Sequence, residues 1–280
     1  MRLGAQILDS FSTPDEWVDL VKTPGYGAAY WPLPFDAPDE DVDRYVAAAD
    51  AAGIVIAEVG AWSNPLARDA AEAEAALEKC RTALAIADRV GARCAVNVAG
   101  ARSAYWAGPH ADNFSEETFD RIVASVQGII DAVAPTRTHY TLETMPWIAP
   151  YDVESYERLI DAIDRERFAV HFDPANLVND PMKYYGYAEL TQRFVDRLGP
   201  AIKSCHIRDV LIQDTALPLA MLEARPGAGE LDLGAYLAAI DPLDPDMPML
   251  LEHLHDPRDY VAGVAHVRER AQAVGVRFAA

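Results

Sequence analysis

The chain has 280 residues, 44 of them acidic and 24 basic, for a formal charge of −20. That surplus repels polyanions, so a nucleic-acid partner held through its phosphates and a membrane-surface role are both excluded. Apolar residues make up 51% of the chain, ample for a core, while no apolar run reaches the roughly 18 residues of a spanning helix. The N-terminus MRLGAQILDS lacks the charged-then-apolar layout of a signal peptide, so the expectation is a soluble cytoplasmic protein. Cys80, Cys94 and Cys205 are odd in number and far apart, with no CxxC pair, and read as buried reduced thiols.

Short apolar runs rich in β-branched residues alternate with longer amphipathic stretches along the chain. A first strand is expected over Leu3–Leu8, with a helix opened by Ser-Thr-Pro-Asp-Glu at 12–16. Gly27–Trp31 follows, then a helix opened by the acids of 39–41. Ile54–Val59 leads into a long alanine-rich helix over about 66–90 that ends at Gly91. Cys94–Val98 precedes a helix opened by Ser-Glu-Glu at 115–117, and His139–Glu143 one opened by Asp-Val-Glu at 152–154. The starts place a capping side chain and acids where a helix N-terminus is positive. The last strands are expected over Ala169–Asp173, Ile202–Ile207 and Met249–His253, each followed by a helix, at about 184–198, 232–240 and 257–274. Eight strand–helix units predict one domain over residues 1–280, a (β/α)8 TIM barrel of α/β class, a fold of about 250 residues. An open doubly wound sheet is the alternative, but no GxGxxG follows the first strand and no GxxxxGK[ST] occurs.

In such a barrel the chemistry gathers where strands end. The last four strands close on Glu143, Asp173, His206 and Glu252. Taken singly, each has a bland role: a helix cap, a turn before Pro174, a satisfied barrel histidine. Adjacent parallel strands lie about 5 Å apart, however, so four such groups converge on one point. Three buried carboxylates repel unless a cation sits among them. Three oxygen donors with one imidazole and no thiolate favour Mn2+ or Mg2+, with Co2+ as a further choice, over structural zinc.

This set, with the strings LETMPW, HFDPANL, CHIRD and LLEHLH, resembles the xylose-isomerase-like TIM barrels, which include ketose 3-epimerases, hydroxypyruvate isomerase and inosose dehydratase. The resemblance covers nearly the whole chain, and Pro-Gly-Ala-Gly-Glu-Leu-Asp at 226–232 is similar to the family's glycine-rich approach to the seventh helix. It implies a metal-dependent sugar isomerase or epimerase that removes a proton beside a carbonyl through an enediolate. Glu143 and Glu252 would then be both metal ligands and the acid–base pair, Asp173 and His206 would anchor the ion, and Arg208 would bond a substrate oxygen. An ion pair of Arg208 with Asp209 or with a helix-end acid is an equal alternative for that residue. The epimerases tend to carry a histidine where this chain has Asn176. His171 shares the inward parity of Asp173 and would orient a ligand or touch substrate, whereas alternation turns His253 outside the barrel wall.

Trp31, Trp62, Trp106 and Trp147 fall just after the second to fifth strands, while Trp17 lies in a helix. Four indoles around one mouth would wall a site for a carbohydrate ring or an attached aromatic group; lid packing or subunit contacts are the alternative. Other readings are a lyase acting on a keto-sugar or keto-glycoside and a catalytically silent sugar-binding barrel. An endonuclease would need more histidines and a basic groove. No phosphate nest of glycines and basic residues is evident at the seventh and eighth loops, which favours a non-phosphorylated sugar. A homo-oligomer is expected from the resemblance alone.

Overall fold

The computed structural model describes every residue except Ala216. The first half of the chain runs β1 (Arg2–Ala5), α1 (Pro14–Lys22), β2 (Ala28–Tyr30), α2 (Asp39–Ala52), β3 (Val55–Gly60), α3 (Ala70–Val90), β4 (Cys94–Asn97) and α4 (Glu116–Val133). The second half runs β5 (His139–Glu143), α5 (Val153–Ile163), β6 (Phe168–Phe172), α6 (Pro181–Tyr185), α7 (Tyr187–Leu198), β7 (Ile202–Ile207), β8 (Asp209–Gln213), β9 (Ala220–Ala224), α8 (Leu233–Ile240), β10 (Pro248–Leu251) and α9 (Pro257–Ala273).

Eight parallel strands form one sheet in the order β1-β10-β7-β6-β5-β4-β3-β2, and helices cover it as a single TIM barrel domain. The ends of this order meet: the Gly27 N–H donates to the Leu3 carbonyl at 2.9 Å across the seam between β1 and β2. Closure there needs a residue without a side chain, because a Cβ on Gly4 would lie 2.4 Å from the Ala28 oxygen. The outer core lies between sheet and helices. Phe172 of β6 stacks on Phe194 of α7 with centroids 3.9 Å apart, and the Tyr156 hydroxyl of α5 donates to the Leu142 carbonyl at 2.6 Å and to that of Ala169 at 3.1 Å. Tyr156 thereby ties the two strands that carry Glu143 and lead into Asp173.

Thr13, Ser115 and Asp152 cap their helices through their side chains, as the sequence predicts. The acids of 39–41 instead occupy the first turn of α2, behind an uncapped Pro38. The long helix begins at Ala70 rather than 66, because Asp69 accepts from the Ala71 and Glu72 N–H groups and caps it there. The helix expected at 184–198 is two helices parted at Gly186. An antiparallel hairpin, β8 and β9, is inserted between the seventh barrel strand and its helix; the sequence analysis did not anticipate it. All three cysteines are buried and free.

Two register slips matter for the interior. Ala29 pairs with Ile56 but Tyr30 with Glu58, so Ala57 is an extra residue that resets the alternation of β3. Likewise Val170 pairs with Ile202 but His171 with Ser204. Such bulges re-aim the side chains that follow them.

Candidate active site and metal centre

Glu143 is the last residue of β5, and Asp173 and Glu252 stand one past the ends of β6 and β10. His206 is the fifth residue of β7. All four are buried, and one ligand atom from each lies within 4.8 Å of the others. The His206 Nδ1 atom is 3.0 Å from Glu252 Oε1, 3.4 Å from Glu143 Oε1 and 3.8 Å from Asp173 Oδ2. The sixth strand lies one residue earlier than expected and the eighth ends two residues sooner, but their acids still reach the point predicted.

Local bonds fix each carboxylate. Asp173 caps the turn of 174–177: its Oδ1 accepts from the Ala175 N–H at 3.0 Å, which leaves Oδ2 for the cluster. The Asn176 amide donates to Glu143 Oε1 at 3.1 Å and to Asp173 Oδ2 at 3.4 Å. Thr144 links the two strand ends by donating to the Asp173 carbonyl at 2.7 Å. Arg208 donates to Asp173 Oδ2 and lies 3.4 Å from Glu252 Oε1 and 3.2 Å from Glu223 Oε1 of β9.

Arg208 therefore joins the acid cluster, and the expected alternative of a pair with Asp209 does not occur. Asp209 instead accepts backbone N–H groups from Val210, Gly227, Gly229 and Leu231, which folds the glycine-rich stretch of 226–232 around its carboxylate. His253 also departs from expectation. β10 ends at Leu251, so strand alternation no longer applies, and a left-handed backbone at His253 (φ 60°) turns its ring to the cavity. There Nδ1 lies 3.0 Å from Glu223 Oε1 and 3.2 Å from Arg208 Nη1.

Glu58 was not among the residues expected at the site. The β3 bulge puts it on the same face as Tyr30, inside the barrel and 1% exposed. It accepts from His171 Nε2 at 2.9 Å, from His206 Nε2 at 3.3 Å and from the Ser204 hydroxyl. His171 is thus a partner of Glu58 beside the His206 ring, with centroids 4.2 Å apart. The only sequence signal was a lone acid within an apolar strand. Because Glu58 takes the Nε2–H of His206, the Nδ1 lone pair is left to face the carboxylates, the arrangement that orients a metal-binding histidine. In a Glu58→Gln variant the amide presents a donor to a ring N–H. Metal affinity is expected to fall about 10–100-fold in a titration of the purified protein.

The charges explain themselves. Burial opposes ionisation of Glu58, but His171 and His206 outweigh it and hold the carboxyl well below its usual range. Burial opposes ionisation of Asp173 and Glu252 as well; Arg208 and His206 hold both below theirs. For Glu143, burial and then the Glu252 carboxylate push the carboxyl up. Burial disfavours a charged His206 ring, yet Glu252, Tyr30 and Glu58 hold its pKa well above the usual imidazole range. When ionised, Glu143, Asp173 and Glu252 carry three negative charges that Arg208 offsets only in part, and a divalent ion would offset the remainder. His206 Nδ1 and Glu252 Oε1 are, moreover, buried without a hydrogen-bond partner and face the same point. The donor set fits a divalent metal.

A cavity of about 690 Å³ opens over Glu143, Asn176 and Glu252. Trp31, Trp62, Trp106 and Trp147 line it, and so does Trp17 from α1, which the sequence analysis left aside. Trp62 projects from a left-handed backbone (φ 36°), and Trp147 donates its indole N–H to the Ala107 carbonyl at 2.8 Å.

An eight-stranded barrel with its polar cluster at the strand ends defines the class, and the sequence agrees: the chain belongs to the xylose isomerase-like TIM barrel family, whose pattern it matches over residues 18–270. Solved structures share the fold. A D-tagatose 3-epimerase-like protein superposes with a TM-score of 0.73 at 17% identity, covering 98% of each chain. Endonuclease IV from Thermus thermophilus gives 0.72 at 13% identity over 98% of this chain and 100% of its own. The probable 3-DHS dehydratase AsbF of Bacillus anthracis, involved in petrobactin synthesis, gives 0.70 at 16% identity over 95% and 97%. At these identities the likeness establishes the fold alone. No curated protein matches the sequence significantly. Among the described residues no helix is long and apolar enough to cross a membrane.

Proposed function

We propose that the chain is a divalent-metal-dependent sugar isomerase or epimerase that removes a proton from the carbon beside a carbonyl. The observation that carries this reading is the convergence of three carboxylates and His206 Nδ1 within 4.8 Å beneath a cavity large enough for a sugar. Glu143, Asp173, His206 and Glu252 would hold the ion, with Mn2+ favoured over Mg2+ or Co2+. When bound, the ion polarises substrate oxygens and lowers the cost of deprotonating carbon by several kcal/mol.

The chain's own residues do the rest. In the strand order, Asp173 and His206 stand between Glu143 and Glu252. A sugar seated between the two glutamates presents one face to each, so that one takes the proton and the other returns it on the opposite face. Asn176 directs Glu143 through its amide bond, and Arg208 keeps Asp173 and Glu252 aligned while its guanidinium reaches a substrate oxygen. The −20 charge argues against the nucleic-acid substrate that the name of endonuclease IV suggests.

In D2O the Mn2+-loaded protein is expected to place deuterium beside the carbonyl of a ketose and to yield an epimer or isomer of otherwise unchanged mass. Chelator should abolish both. Failure to exchange with any ketose or keto-glycoside, in a protein that binds metal, overturns the reading. The size of the cavity supports a second reading, a lyase in which the same deprotonation expels a substituent from the next carbon. A product lighter by that substituent, or an enone absorbance, identifies it.

A further inference from the structure

Around the ring, β5, β6, β7 and β10 are contiguous and carry the acid cluster, while β1 to β4 form the opposite half. The segments that follow β1 to β4 supply the aromatic wall: Trp17, Trp31, Phe35, Trp62 and Trp106 all line the cavity. With Trp147, every tryptophan of the chain lies on this one site. The mouth thus carries the acid cluster on one half and most of its aromatic wall on the other, with Trp147 on the acidic side and Glu58 on the aromatic one.

We infer that the substrate is two-ended: a keto-sugar at the acid cluster joined to a planar aromatic group against the indoles, as in an aryl glycoside. This rests on the reading of the cluster as a proton-abstraction site and names its substrate class. A free sugar carries a hydroxyl on nearly every carbon, and each one turned to the indole wall would lose its water without gaining a partner. Apart from Gln6, Tyr30 and Tyr105, the side-chain donors that line this half are indole N–H groups. The Trp147 N–H is spent on Ala107, and the Trp31 N–H is buried away from the cavity surface. A second sugar ring meets the same shortage. A flat apolar ring does not, and it stacks on indole faces. The volume of about 690 Å³ lies within the range for drug-sized ligands.

The test measures calorimetric affinity of the Mn2+-loaded protein for matched methyl and phenyl glycosides of glucose, galactose and xylose in both anomers, with cellobiose alongside. At least one phenyl glycoside is expected to bind about 100-fold tighter than its methyl counterpart. Trp62→Leu and Trp106→Ala, each checked for folding by circular dichroism, should each cut that preference about tenfold or more while metal affinity stays unchanged. Equal affinity within every methyl and phenyl pair overturns the inference, and so does a preference for cellobiose or no binding at all. Proton exchange on free ketoses without a phenyl preference overturns the substrate class and leaves the proton-abstraction reading standing. A phenyl preference in a protein that exchanges no proton does the reverse.

Discussion

In a Glu252→Gln protein saturated with metal, solvent exchange at the sugar carbon is expected to fall by about 10²–10⁴-fold, the usual contribution of a positioned proton-transfer group. Glutamine keeps the size of the side chain and one oxygen donor, so folding should survive. Because Glu252 is also a proposed ligand, the comparison needs metal well above the variant's Kd. Glu143→Gln should lose a similar factor, since the two glutamates flank Asp173 and His206 in the strand order. The double variant should lose little beyond the worse single one, because groups that act as a unit are not additive. Wild-type exchange in either single variant removes these glutamates from the chemistry.

Metal removal should be as visible in stability as in rate. An ion present at 100 times its Kd stabilises the folded state by about 2.7 kcal/mol. For a chain of this length that raises Tm by about 5 °C. EDTA should reverse the rise, and Asp173→Asn should abolish it by removing a ligand whose other oxygen holds the 174–177 turn. A melting curve indifferent to both Mn2+ and chelator sinks the metal site. Glu58→Gln should lie between the two, since it disturbs only the ring that presents Nδ1.

Much of this architecture was legible in the sequence. The fifth and seventh strands were placed to the residue. The four acid-cluster residues were legible for a related reason: the barrel concentrates polar groups at strand ends, and an acid closing an apolar run stands out. What escaped depends on register. Glu58 became internal only through the extra residue at Ala57, and His253 turned inward only because β10 stops early. No alternation rule applied along one strand contains either event. The hairpin was missed for want of β propensity, since Ala220–Ala224 reads AMLEA, with no β-branched residue, and is held by pairing with β8.

The segregation of the mouth has a consequence for how this barrel can change. The groups that move protons and those that grip the rest of the ligand are rooted in different strands and come from different stretches of chain, largely before and after residue 139. Substitutions in the early loops can therefore retune what is held without disturbing the reaction, and the two halves become separable units for recombination. An engineer seeking a new substrate would exchange the first four loops and leave the later strands untouched.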